Sequence, residues 1–188
     1  MEYEMKALFL DNDGVICLFS NWGSRAKKRK AIPGYDDIEQ GKRPLDALFD
    51  NFDKKAIKVL NEILEETGAE IIVSSDWRRH ADLEELGEYY LAQGVSKAPI
   101  GTTKMVEHFD IPDGFPFHRF YQYEQERSLE ILDWLSEHPE VTHWVAVDDL
   151  DMSSNNREWG LDNFVWTPQD TEGIKQTGKK QQIIDFLT

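Results

Sequence analysis

The sequence of 188 residues predicts an α/β fold: a three-layer α/β sandwich around a mainly parallel, Rossmann-like sheet. First, short apolar runs alternate with segments whose apolar residues recur every three or four positions, the pattern of strands alternating with helices. Second, three of the apolar runs end abruptly in carboxylates or hydroxyls. Because such strands pair in parallel through right-handed crossovers, these polar groups are expected at one edge of the sheet, where ligands bind.

The first predicted element is a buried strand at residues 6–10, an apolar run bounded by polar residues. Residues 15–52 follow with several glycines and prolines and little periodicity. This composition predicts a loop-rich insertion or small cap inside a single domain that spans 1–188. A helix is then predicted over 54–66, with Asp53 as its N-cap residue.

The same two periodicities predict the rest of the chain. In order, they predict a strand at 71–73, a helix at 79–92, a short strand at 99–102, a helix at 127–137, a strand at 144–147, a short strand at 163–166 and a helix at 179–187. These elements complete the alternation that a parallel sheet requires.

Composition restricts the kind of protein. The net charge of −15 argues against extended nucleic-acid binding, because such binding depends on lysine and arginine, although a local basic patch remains compatible with it. No tract is long and apolar enough to span a membrane. The acidic N-terminus does not resemble a signal peptide, and the single Cys17 excludes an intramolecular disulfide, so a cytoplasmic location is expected.

Two aspartates follow the first strand. Asp11 and Asp13 stand one residue apart, and Gly14 comes next. Carboxylates this close repel each other unless a cation or a shared proton offsets their charge. The pair therefore predicts a hard divalent metal, a phosphoryl-transfer site, or both.

Three further polar groups occupy comparable positions. Ser74 and Ser75 follow the strand at 71–73, and an acidic run that begins with Asp148 and Asp149 ends the strand at 144–147. Arg127 lies just inside the predicted helix that precedes this last strand. At a common sheet edge, these residues would place hydroxyl, carboxylate and guanidinium groups around one phosphorylated ligand.

Together, an aspartate pair, a strand-end hydroxyl, a cation at a helix start and a final acidic pair resemble the haloacid dehalogenase (HAD) superfamily of phosphatases. The segments 75–78, 99–103 and 130–135 also resemble the subgroup of HAD domains associated with RNA-repair proteins. The resemblance covers about residues 6–175. It implies a HAD-like sandwich with a small or minimal cap.

The resemblance implies roles for the catalytic residues. Asp11 would be the nucleophile that forms an aspartyl-phosphate, and Asp13 the general acid and base. Ser74 would hydrogen-bond a phosphoryl oxygen. Ser75 remains the alternative, because neighbouring residues of a strand point to opposite faces and only one hydroxyl is expected to face the phosphate.

The resemblance also implies a cation and a metal site. Arg127 would neutralise the phosphoryl group, and Lys104 remains a competitor because the family more often has lysine in this role. The expected Mg²⁺ ligands are Asp11, Asp13 through its backbone carbonyl, Asp148 and Asp149, with Asp151 as a possible outer partner.

The expected activity is a Mg²⁺-dependent phosphomonoesterase. Its substrate would be a phosphorylated small molecule or a nucleic-acid end, and a small cap leaves room for a polynucleotide 3′-phosphate. The alternative from another class is a non-catalytic module on the same scaffold, one that binds phosphate or metal or holds a stable phosphoryl group. Turnover on a phosphate ester distinguishes the two.

Two segments could determine the substrate. Residues 22–31 form the one strongly basic segment of an acidic chain and could attract a phosphate-rich substrate, or could be an ordinary solvated face. Residues 115–123 concentrate aromatic side chains around one arginine, a composition that can stack a base or simply pack a long loop.

Overall fold

The computed structural model describes residues 4–105, 122–155 and 158–188. A five-stranded sheet with strand order β3-β2-β1-β4-β5 forms its centre, and all the neighbouring strands pair in parallel. The strands are β1 (Met5–Leu10), β2 (Glu70–Val73), β3 (Gly101–Thr102), β4 (Val141–Asp148) and β5 (Phe164–Trp166). The predicted α/β fold with a parallel sheet is confirmed.

The α-helices of the described residues are α1 (Ser24–Lys30), α2 (Lys54–Thr67), α3 (Leu83–Ala92), α4 (Gln122–Ser136) and α5 (Lys179–Leu187). Alternate residues of β1 face the two sides of the sheet. Leu8 and Leu10 belong to a core that includes buried residues of α2, α3 and α5, whereas Phe9 packs with Ile131 and Trp134 of α4. The sheet therefore lies between two helical layers.

Both ends of α2 form as its sequence predicts. The Asp53 side chain accepts a hydrogen bond from the Ala56 amide at 2.8 Å, which satisfies one of the free donors at the helix start. Gly68 ends the helix with a φ of 71°, a left-handed conformation that glycine adopts at low cost.

The helix predicted over 79–92 was wrong at its start, because α3 begins only at Leu83. Asp82 and Glu85 form a capping box, in which each side chain accepts a hydrogen bond from the other residue's amide and fixes the first turn. The preceding Asp76–Arg79 segment forms a separate 3₁₀ turn directly after β2.

The helix predicted over 127–137 was also wrong at its start. The structure has α4 already formed at Gln122, the first residue described in this segment, so Arg127 lies inside the helix and is buried. Residues 122–126 are mostly polar and hide the apolar periodicity there. Most of the aromatic segment 115–123 lies outside the described residues.

Residues 15–52, which the structure describes throughout, contain α1 and four 3₁₀ turns. Both ends of this segment enter the main core, where Ile16, Leu18, Phe49 and Phe52 are buried. It therefore packs against the sheet domain. Its classification as a small cap stays a prediction.

Among the helices that the structure describes, none combines the length and apolar character needed to cross a bilayer.

Candidate active site

The candidate site begins as a row of polar residues at the carboxyl edge of the sheet. The Asp11 amide donates to the Val147 carbonyl oxygen at 3.1 Å, and the Ser74 amide donates to the Leu10 carbonyl oxygen at 2.9 Å. These bonds extend the ladders of β1 with β4 and with β2 by one residue. Asp11 therefore lies between Ser74 and Asp148, as parallel strands ending in register require.

Three carboxylates form one cluster at this edge. Asp11, Asp148 and Asp149 each contribute an oxygen atom, and these atoms lie within 4.8 Å of one another. Burial and repulsion by Asp148 raise the pKa of Asp149 to about 7 and the pKa of Asp11 well above its ordinary value. A cation bound among the three carboxylates would therefore offset the repulsion between them.

Arg127 enters the cluster from α4. Its Nη1 atom lies 3.0 Å from Asp11 Oδ1 and 2.9 Å from Asp148 Oδ2, and its Nη2 atom lies 3.4 Å from Asp76 Oδ1. Burial alone would lower the pKa of Arg127, but Asp148 and Asp11 outweigh it and raise the pKa above the ordinary value. The guanidinium is a fixed positive charge beside both carboxylates.

The chemistry of these groups fits a divalent metal. If a bound cation kept all three carboxylates ionised, these and one guanidinium would leave two negative charges, the charge that a divalent cation offsets. All the ligand atoms are oxygens, which hard cations prefer. Asp11, Asp148 and Asp149 can therefore hold such an ion.

Gly14 allows Asp149 to approach the loop that follows β1. Its φ is 70°, and a Cβ atom added there would lie 2.5 Å from Asp149 Oδ2. The loop is tight, because the Asn12 carbonyl oxygen accepts hydrogen bonds from the amides of Ile16 at 3.0 Å and Cys17 at 2.8 Å. A side chain at position 14 would displace the Asp149 carboxylate from the cluster.

Replacing Gly14 by alanine should weaken metal binding by about tenfold, because Asp149 must move out of the cluster. Isothermal titration with Mg²⁺ measures this. Gly68→Ala is the matched control, since Gly68 has a φ of 71° with no described atom within 4 Å of its added Cβ. It should lose about 1–2 kcal/mol of stability to backbone strain and keep its metal affinity. Equal affinity loss in both variants would contradict the prediction.

The Asp13 side chain lies outside the carboxylate cluster. Its Oδ2 accepts a hydrogen bond of 2.8 Å from Trp77 Nε1. The Trp77 ring stacks on Phe49 with 4.4 Å between the ring centres, so the indole is held in place by the insertion 15–52. The predicted metal contact of Asp13 is through its backbone carbonyl, and it stays a prediction.

The structure distinguishes the two candidate serines. Ser74 Oγ is buried and forms no hydrogen bond to any residue that the structure describes. Ser75 Oγ accepts from the Trp77 amide at 3.5 Å and so caps the turn after β2. Because buried hydroxyls normally have a partner, the unpaired hydroxyl of Ser74 favours it over Ser75 as the phosphate contact, and this assignment stays a prediction.

Replacing Ser74 by alanine should therefore lower kcat/KM for phosphate release by about 10- to 100-fold, with less than about 0.5 kcal/mol change in stability, because no protein hydrogen bond is lost. Ser75→Ala should show the reverse. Its kcat/KM should stay within about threefold of wild type, and its free energy of unfolding should fall by about 1 kcal/mol, because a turn cap is removed. Steady-state kinetics and urea unfolding measure the two effects. A larger activity loss in Ser75→Ala would reverse the assignment.

The structure does not bring Lys104 or Asp151 into contact with the cluster. Lys104 Nζ pairs with Glu137 at 2.5 Å. Asp151 Oδ1 accepts from the amide and the hydroxyl of Ser153, at 3.1 and 2.6 Å. Of the two candidate cations, Arg127 is the one that contacts the carboxylates.

Several residues that support the site were missed by the sequence analysis. Tyr90 donates to Asn12 Oδ1 at 2.5 Å, and Trp166 Nε1 donates to the Asp149 carbonyl oxygen at 2.8 Å. Arg78 contacts both Thr103 and Glu130 in the interior, beneath α4. These contacts join residues far apart in the chain, and no local pattern marks Tyr90 or Trp166. The segments 75–78, 99–103 and 130–135, already quoted for their resemblance, do contain Trp77, Arg78, Thr103 and Glu130, but their sequence assigns these residues no contact.

The parallel sheet, the acidic cluster at its carboxyl edge and the adjoining arginine define a HAD-type domain. A family model described as "HAD domain in Swiss Army Knife RNA repair proteins" matches residues 7–177. The chain therefore belongs to this family, and the predicted resemblance is confirmed. No curated protein and no solved structure matches the chain significantly.

At the level of the superfamily, membership makes the chain a phosphatase-like hydrolase with a phosphorylated substrate. HAD domains generally use a divalent metal, and the cluster of Asp11, Asp148 and Asp149 can hold one.

Proposed function

We propose that this protein is a Mg²⁺-dependent phosphomonoesterase that forms an aspartyl-phosphate on Asp11 and acts on the 3′-phosphate ends of nucleotides or polynucleotides. The observation that carries the proposal is the contact of Arg127 with both Asp11 and Asp148, at 3.0 and 2.9 Å, beside the unpaired hydroxyl of Ser74. Nucleophile, cation and hydrogen-bond donor thus converge at one sheet edge.

In the first step, a carboxylate oxygen of Asp11 forms a bond to phosphorus while the bond from phosphorus to the leaving oxygen breaks. Arg127 and the Ser74 hydroxyl offset the charge on the phosphoryl oxygens. Asp11, Asp148 and Asp149 would hold Mg²⁺, which would supply the positive charge that keeps these carboxylates ionised and shields the phosphate.

Asp13 donates the proton that the leaving oxygen needs. Burial raises the pKa of Asp13, although hydrogen bonds from Trp77 and Cys17 oppose this, and a raised pKa favours the protonated form that a general acid requires. In the second step, Asp13 takes a proton from water, the water oxygen attacks phosphorus, and inorganic phosphate leaves Asp11. The carboxylate side chain is then ready for another cycle.

Two observations support a polynucleotide end as substrate. The matching family model is described from RNA repair proteins. In addition, residues 15–52 pack into the core through both ends and contain one short helix, which is consistent with a small cap and an open site. An open site admits the end of a chain that a closed pocket would exclude.

The test is phosphate release from nucleoside 3′- and 5′-monophosphates and from 3′-phosphorylated oligonucleotides, with Mg²⁺ or with EDTA. We expect Mg²⁺-dependent release with a preference for 3′-phosphates. Release that is unaffected by EDTA would contradict the metal requirement. A long-lived phosphorylated protein without release would instead favour a phospho-acceptor module.

A further inference from the structure

An exposed basic–aromatic surface, defined as Phe19, Trp22 and α1, lies beside the candidate active site. Between Asp13 and Asp36 the sequence has five basic and no acidic side chains, although the whole chain carries a net charge of −15. Such a local reversal of charge creates a positive region on an otherwise negative protein.

The two rings of this surface are unusually open to solvent. Phe19 is 58% exposed and Trp22 is 43% exposed. Their ring centres lie 5.3 Å apart with a 66° angle between the planes, so the rings form an exposed pair. Aromatic pairs usually contribute to a core, whereas this pair offers its surfaces to a partner.

The surface is connected directly to the loop that carries Asp13. Trp22 Nε1 donates to the Cys17 carbonyl oxygen at 3.2 Å, and the Gly14 amide donates to the same oxygen at 2.9 Å. At the start of α1, the Arg25 amide donates to Asp50 Oδ1 at 2.7 Å. The surface therefore adjoins the loop that carries Asp13.

Two of the basic side chains on α1 are paired within the protein, and two others are exposed to solvent. Lys28 pairs with Asp46 at 3.0 Å, and Arg29 donates to the Ala47 carbonyl oxygen at 2.8 Å. Lys27 and Lys30 are exposed, and no residue that the structure describes forms an ion pair with either. These two lysines are available to backbone phosphates.

We infer that the basic–aromatic surface binds the single-stranded nucleotides that precede a 3′-phosphate end, with Phe19 and Trp22 stacking bases and Lys27 and Lys30 contacting phosphates. The inference rests on the proposed function, because it places the terminal phosphate at Asp11. A single strand presents bases and phosphates together, and this surface offers rings and cations together. An acidic peptide would use only the cations, and a small phosphorylated metabolite would reach neither.

The test measures fluorescence anisotropy of a labelled eight-nucleotide single strand with a 3′-phosphate, as RNA and as DNA, bound to Asp11→Asn protein so that the strand stays intact. Trp22→Leu in this background should weaken binding by about tenfold. Trp22→Phe loses the hydrogen bond to Cys17 but keeps an aromatic ring, and should weaken binding by less than about threefold. Equal losses in the two variants would show a structural role for the indole and overturn the stacking assignment.

The cations are tested by salt dependence. Lys27→Gln combined with Lys30→Gln should reduce the slope of log affinity against log salt concentration by about 1.4, because two phosphate contacts are lost. Lys58→Gln combined with Lys180→Gln removes the same charge on α2 and α5 and should leave the slope unchanged. Equal slopes for all the variants, or equally strong competition by polyglutamate, would overturn the inference.

Failure of the inference is distinguishable from failure of the proposed function. If the wild-type protein releases phosphate from nucleoside 3′-monophosphates but the substitutions leave strand binding unchanged, only the surface assignment fails. If no phosphate is released from any substrate while strand binding weakens as expected, only the phosphatase proposal fails.

Discussion

Replacing Asp11 by asparagine is expected to reduce Mg²⁺-dependent phosphate release by at least about 10⁴-fold, because the amide cannot form the acyl phosphate on which both chemical steps depend. Asp11 is 3% exposed and lies 3.0 Å from Arg127, so the change also removes one of the two buried carboxylates that contact the guanidinium beside the exposed Asp76. Steady-state kinetics with a nucleoside 3′-monophosphate measures the loss.

The intermediate itself can be observed. Acid quenching of the wild-type protein with ³²P-labelled substrate should leave a hydroxylamine-sensitive label on the chain, and Asp11→Asn should carry none. Asp185→Asn, an exposed carboxylate on α5, is the control and should keep both label and turnover. Turnover above about 1% of wild type in Asp11→Asn would exclude Asp11 as the nucleophile.

Replacing Arg127 by alanine is expected to lower kcat/KM by about 10³-fold, because the transferring phosphoryl group loses its fixed cation. The same change should lower the free energy of unfolding in EDTA by about 3 kcal/mol, since Asp11 and Asp148 are left buried without their partner. Kinetics and urea unfolding measure the two effects. Arg127→Lys should recover only part of the activity, because one ammonium group cannot reproduce the planar contacts to two carboxylates.

Lys104 provides the matched control for Arg127. Its ammonium pairs with Glu137 at an exposed position, so Lys104→Gln should leave kcat/KM and stability close to wild type. A loss in Lys104→Gln comparable to that in Arg127→Ala would show that the catalytic cation had been assigned to the wrong residue.

Both strand and helix starts were predicted less well than strand ends. The apolar runs of β1 and β2 are short, buried and bounded by polar groups, so their ends are visible in the sequence. The strand predicted at 144–147 was wrong at its start, because β4 begins at Val141 and its first residues are only partly buried. The helix starts depend on other information: a capping box fixes Leu83, and the mostly polar residues 122–126 hide the helical periodicity before Arg127. Helical periodicity marks the buried face of a helix, whereas the first turn depends on hydrogen bonds that the periodicity does not report.

The sequence by itself determined the parallel α/β fold and the placement of Asp11, Ser74 and Asp148 along one edge, because each follows directly on a strand whose partners end in register. Only the tertiary structure showed the different surroundings of candidates that are equivalent in the sequence. It directed Ser75 to a turn amide and paired Lys104 with a surface glutamate. Contacts between segments that are distant in the chain depend on how the whole chain packs, so they cannot be read from the order of the residues alone.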